Sequence, residues 1–116
     1  MRQLSLAAIV LSVLASPAAA SALTIDLPGD ADVETSTVTY ACPDSELTVT
    51  YHNAGSVSLA VFETGGEVVV ASNVIAASGA RYAGGRYVWW TKGDTGDLYD
   101  LMQGEDAPPA SCTASD

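Results

Sequence analysis

The chain has 116 residues, with four basic residues against fourteen acidic ones and a formal net charge of −10. Such an excess of negative charge opposes phosphate and excludes a nucleic-acid binder as a sensible reading. After the first 22 residues no apolar run approaches the ~20 residues a transmembrane helix needs.

The first 22 residues read as a secretory signal. Arg2 supplies the positive start, Leu4 to Leu14 is almost wholly apolar, and Ser16 to Ala22 is small and breaks helix. Ala18-Ala19-Ala20 and Ala20-Ser21-Ala22 both offer small-x-small cleavage sites. Cleavage after Ala22 leaves 94 residues, one small domain. Removing Arg2 also shifts the formal charge to −11, with three basic residues remaining. No Cys follows the cleavage region until Cys42, so no lipid anchor is expected and the chain reads as an exported protein. Residues 23–37 carry Asp26, Asp30, Asp32 and Glu34 around Pro28-Gly29, and read as an extended acidic arm.

Residues 38–116 read as all-β. Val38 to Ala41, Glu46 to His52, Val57 to Phe62, Glu67 to Ala71, Val74 to Ala77, Arg86 to Thr91 and Leu98 to Met102 are short and rich in β-branched or aromatic residues. Turn-forming stretches separate them: Pro43-Asp44-Ser45, Asn53-Ala54-Gly55, Gly65-Gly66, Gly84-Gly85 and Gly93 to Gly96. That spacing predicts a small antiparallel β-barrel or sandwich. Leu47, Val49 and Tyr51 alternate with Thr48, Thr50 and His52, as in a half-buried strand. Gln103 to Asp116 is poor in apolar residues, and would fray unless tied down. Cys42 and Cys112 are an even pair in an exported chain, which predicts a disulfide tethering that tail. One His and two distant Cys make a poor zinc set, so no metal and no cofactor are called for.

The three basic residues left after cleavage, Arg81, Arg86 and Lys92, fall within twelve positions, and that region also holds Trp89 and Trp90. Arg and aromatic residues dominate binding hot spots, so function is sought here. The competing reading is a packed hairpin whose cations balance local carboxylates. Two motifs stand in this window: Ser78-Gly79-Ala80-Arg81-Tyr82, and Tyr87-Val88-Trp89-Trp90-Thr91-Lys92-Gly93.

With Tyr40-Ala41-Cys42 ahead of them, these motifs resemble those of the MliC/PliC family of bacterial inhibitors of c-type lysozyme, from about Val38 to Leu101. One departure is Pro43-Asp44-Ser45 after Cys42, where a Gly often stands. The resemblance implies a β-barrel that plugs the cleft of a c-type lysozyme, a basic glycosidase. It implies contacts from Ser78, Gly79, Arg81, Tyr82, Tyr87, Thr91 and Lys92, with Ser78 and Lys92 reaching the enzyme's catalytic carboxylates. It also implies the free periplasmic form, since the lipid-bearing Cys of anchored members is missing.

If Gly84-Gly85 turns the hairpin, facing positions sum to about 170 and Ser78 stands opposite Lys92. Trp89 and Trp90 must then point to opposite faces. An enzyme is not indicated: Ser78 has no evident base, and His52 reads as a solvated strand end. Asp94, Asp97 and Asp100 lack the pattern of a calcium loop, and Asp94 and Asp97 are expected to cap or solvate the Gly93 to Gly96 turn. A ligand-holding barrel and an envelope protein-binding barrel remain the alternatives, and a homodimer is left open.

Overall fold

The computed structural model describes residues 8–12 and 21–115. Most of the signal segment, with its Ala18 to Ala20 cleavage option, lies outside the described residues. Among the described residues, eight strands close one antiparallel barrel in sequence order. They are β1 (Glu34–Ala41), β2 (Glu46–Ala54), β3 (Val57–Thr64), β4 (Glu67–Val74), β5 (Ala80–Gly84), β6 (Tyr87–Lys92), β7 (Thr95–Asp100) and β8 (Ala110–Ala114). Two-residue turns join β2 to β3, β3 to β4, β5 to β6 and β6 to β7. β8 pairs with β7 and, at Tyr40 and Ala41, with β1, which closes the ring.

Alternation decides what faces inward. Leu47 and Val49 are buried while Thr48 on the same strand is exposed, as the sequence pattern requires. Outside, the threonines of β1 and β2 pair across the strands, Thr37 with Thr50 at 3.2 Å and Thr39 with Thr48 at 3.1 Å. His52, at the end of that row, shares a hydrogen bond with Thr35. Inside, the core gathers Tyr40, Leu47, Val49, Phe62, Tyr82, Tyr87 and Trp89. Trp89 is fully buried at the centre, edge-on to Tyr40 with ring centroids 4.9 Å apart. Its indole N–H donates to the Tyr51 hydroxyl at 2.8 Å, and that hydroxyl pairs with Tyr40 at 2.8 Å. Burial pushes the Tyr51 phenol well above the usual tyrosine range. A small barrel filled in this way has its interior occupied by its own side chains.

Four expectations about elements change. β1 begins at Glu34, inside the stretch read as arm, and pairs in register with β2 from Asn53. Residues 21–33 are exposed and form no regular element. β5 and β8 are strands that the sequence pattern did not reveal, since Ala80–Gly84 and Ala110–Ala114 are short and poor in β-branched residues. Val74 ends β4, and residues 75–79 form a loop rather than a separate strand. β7 ends at Asp100, and Leu101–Gln103 is a single 3-10 turn.

Cys42 and Cys112 are joined, bridging the end of β1 to β8 across 70 positions. The C-terminal segment is therefore held twice, by the disulfide and by its own strand pairing. One ion pair forms among the described residues: Arg86 donates two hydrogen bonds to Asp100, at 2.8 and 2.6 Å. Asp100 also accepts from the Met102 amide and so caps the 3-10 turn.

Candidate functional site

Chain connections alternate between the two ends of the barrel. The β4–β5 loop and the β6–β7 turn share one end, which gathers the two motifs. The β3–β4 and β5–β6 turns, the disulfide and the 3-10 turn lie toward the other. A groove of about 760 Å³ at that second end is lined by Asp44, Glu46, Glu63 and Pro108-Pro109. It holds neither motif and no cation.

The site is built on the outer faces of β5, β6 and β7. Burying Trp89 forces its neighbour Trp90 outward, together with Lys92 one pleat further. Strand pairing sets Arg81 beside Trp90 on one flank and Asp97 on the other. The Arg81 guanidinium carbon lies 5.6 Å from the centre of the Trp90 ring, and Lys92 Nζ lies 5.7 Å from it. Both are within cation–π range. The Trp90 indole N–H donates to the Ser78 carbonyl at 2.8 Å. Ser78 and Lys92 are both exposed, as is Ile75, which is 97% exposed in the same loop.

The register of the hairpin differs from the expected one. Gly84 faces Tyr87 and Ala80 faces Thr91, so facing positions sum to 171 and the turn is Gly85-Arg86. A shift of one residue exchanges the two faces of a strand. Ser78 therefore does not stand opposite Lys92; it sits in the loop before β5, and the two are brought together through Trp90 and Gly79. Gly79 has a φ of +69°, and a Cβ there would overlap the Thr91 carbonyl oxygen and come within 2.7 Å of Lys92 Cγ. Only glycine fits where this loop presses on β6.

Of the seven residues expected to touch a partner, Ser78, Gly79, Arg81 and Lys92 cluster on this surface. Thr91 is half-buried beneath them and lies within 3.4 Å of the Ala80 carbonyl. Tyr82 and Tyr87 are buried, at 7% and 8% exposure, so they shape the barrel from inside rather than present a contact surface. Tyr82 packs against Tyr51, and Tyr87 reaches the β3–β4 turn at the far end. Trp90 and Ile75 belong to the surface, although the motif reading did not single them out. The parity of the two tryptophans was the available signal for Trp90. The acidic residues of β7 do not gather on the turn: Asp97 accepts from the Ser111 hydroxyl at 2.9 Å, and Asp100 is engaged by Arg86.

Among the described residues neither Arg81 nor Lys92 has a carboxylate within ion-pair distance. In a chain of net charge −10 these cations stand apart from local neutralisation, facing solvent at one end. That arrangement suits recognition of an anionic group on a partner that is otherwise basic. Residues 40–107 match the family described as membrane-bound lysozyme-inhibitor of c-type lysozyme, MliC. The chain belongs to the MliC family.

A Cupriavidus necator protein named membrane-bound lysozyme inhibitor of C-type lysozyme is 53% identical over 74 residues, covering 63% of this chain and 59% of that protein. A Pseudomonas aeruginosa protein of the same name is 47% identical over 89 residues, covering 74% of this chain and 70% of that one. The chain thus matches about three-fifths to seven-tenths of the length of these MliC relatives. The crystal structure of Pseudomonas aeruginosa MliC in complex with hen egg white lysozyme superposes with a TM-score of 0.71 at 40% identity, covering 84% of this chain and 99% of that one. The MliC relatives are named as inhibitors of an enzyme.

Proposed function

We propose that this protein inhibits c-type lysozyme in the bacterial periplasm by placing Ser78 and Lys92 in the enzyme's active-site cleft. The observation that carries the reading is the shared fold, at 40% identity, with a relative solved in complex with hen egg white lysozyme. An exposed cation and hydroxyl at one end of the barrel add to it.

Retaining glycosidases hold two carboxyl groups only ~5 Å apart, one acting as acid and the other as nucleophile or stabiliser. An ammonium between them forms charge-assisted hydrogen bonds and offsets their mutual repulsion, while a neighbouring hydroxyl takes a remaining acceptor. The sugar is displaced, and the acid loses its route to the glycosidic oxygen. Arg81 and Ile75 flank this point and suit the rim of the cleft. The acidic body steers encounter with a basic enzyme, and its cationic tip meets the enzyme's acidic spot. A disulfide-bonded barrel following a secretory pattern fits an oxidising envelope compartment.

The direct test mixes the mature protein with hen egg white lysozyme and follows clearing of a bacterial cell suspension. Dose-dependent loss of lysis supports the reading. Full lysis at a large molar excess of the protein defeats it.

A further inference from the structure

We propose that Trp90 is the positioning residue of this site, fixing the Ser78 loop and Lys92 relative to each other before any partner arrives. The inference deepens the inhibitor reading and rests on it for its effect on binding, while its premise concerns the free protein. One side chain meets both halves of the site. Its N–H donates to the Ser78 carbonyl at 2.8 Å, and its ring lies 5.7 Å from Lys92 Nζ. Among the described residues, this is the one side-chain hydrogen bond that ties residues 75–79 to the barrel.

The two jobs use different parts of the indole. The N–H is a donor with no acceptor role, so it selects a carbonyl and holds the loop inward. The ring face attracts cations, and Arg81 lies within 5.6 Å of the same ring. Two cations drawn to one ring in an acidic molecule would otherwise swing toward carboxylates such as Asp94 or Asp97. Held by Trp90, Lys92 loses less side-chain freedom on binding, because part of that entropy is already spent in the free state. Gly79 completes the arrangement, since any larger residue would lift the loop off the indole.

Two substitutions separate the contributions. Trp90→Phe keeps an aromatic face and removes the donor; Trp90→Leu removes both. Because Trp90 lies outside the barrel wall while Trp89 fills the core, both variants should fold. In the free protein, NMR relaxation would follow conformational exchange of the 75–79 loop, and chemical shifts the ring-current effect on the Lys92 methylenes. Trp90→Phe should speed loop exchange while retaining most of the Lys92 shift, and weaken affinity for hen egg white lysozyme about three- to tenfold. Trp90→Leu should abolish the Lys92 shift as well and weaken affinity about thirtyfold or more. In a Lys92→Ala background the loss on Trp90→Leu should shrink, as expected of a residue acting through another. Unchanged loop exchange in Trp90→Phe, or unchanged Lys92 shifts in a folded Trp90→Leu, would overturn the proposal. If the free-protein signatures change as expected but the parent does not bind lysozyme, positioning stands and the inhibitor reading falls.

Discussion

Lys92 and Ser78 carry unequal shares of the proposed contact, and their chemistry sets the order. Lys92→Ala removes the cation expected between two carboxylates, a loss of about 2–4 kcal/mol in binding to lysozyme by comparison with interfacial charge pairs. Ser78→Ala deletes a neutral hydroxyl and should cost about 1–2 kcal/mol. Since both act in one cleft, the double variant should lose less than the sum of the singles, which calorimetric titration would measure directly. Both side chains are exposed in the free protein, so thermal unfolding should be almost unchanged by either substitution. A variant that bound as tightly as the parent without Lys92 would remove the basis of the cleft-plug reading. Sequence alone identified these two residues through motif resemblance. It set them opposite each other across a hairpin, whereas the turn is Gly85-Arg86, Ser78 lies in the loop before β5, and Trp90 links the two.

At the scale of elements, the disulfide reinforces β8 where it closes the ring through a short pairing with β1. Cys112→Ser should lower stability by about 2–5 kcal/mol, read from denaturant unfolding. Affinity for lysozyme should fall much less, because Ser78 lies in the β4–β5 loop and Lys92 on β6. The Arg86–Asp100 pair supplies a pH dependence at the opposite end. Its hydrogen bonds to Arg86 hold the Asp100 carboxyl below its ordinary value. A lowered folded-state value contributes stability that is present above the unfolded carboxylate range and lost as pH falls through the folded value. Acid unfolding curves should show this loss, and Asp100→Asn should flatten that part of the profile. The strands with regular alternation, such as Glu46 to His52, were legible from sequence. β5 and β8 were not, because pairing with neighbours on both sides makes them strands despite weak local preference. Gly96 misled for a related reason: it looks like part of a turn but lies in β7, where a Cβ would overlap the Trp89 ring.

Across the whole molecule, charge should govern the approach to the target more than the final fit. A body of net charge −10 attracts a basic enzyme over distances comparable to the Debye length of ~8 Å at 0.15 M salt. Association rates with hen egg white lysozyme should therefore fall as salt rises, while dissociation changes less. Stopped-flow rates that stayed flat from low to high salt would show that the acidic surface does no steering. Strand spacing predicted a small barrel or sandwich, the motif resemblance implied the barrel, and the paired cysteines predicted the disulfide. The segregation of a cationic tip from the acidic body followed from Arg81 and Lys92 lying close in the chain, although Arg86 is drawn away to Asp100 at the other end.

The last strand has a practical consequence for anyone handling the protein. The Ala114 amide donates to the Asp94 carbonyl at 2.7 Å, and Ser115 donates to Thr39 at 2.8 Å. The end of β8 is thereby stitched to the turn that follows Lys92. A purification handle or fluorescent fusion placed after Ser115 would emerge beside the proposed docking face and crowd an incoming enzyme. Gly104 to Asp106, exposed at the far end, offers a better point for a label or for tethering to a sensor chip. Mounted there, the molecule would present its working face outward.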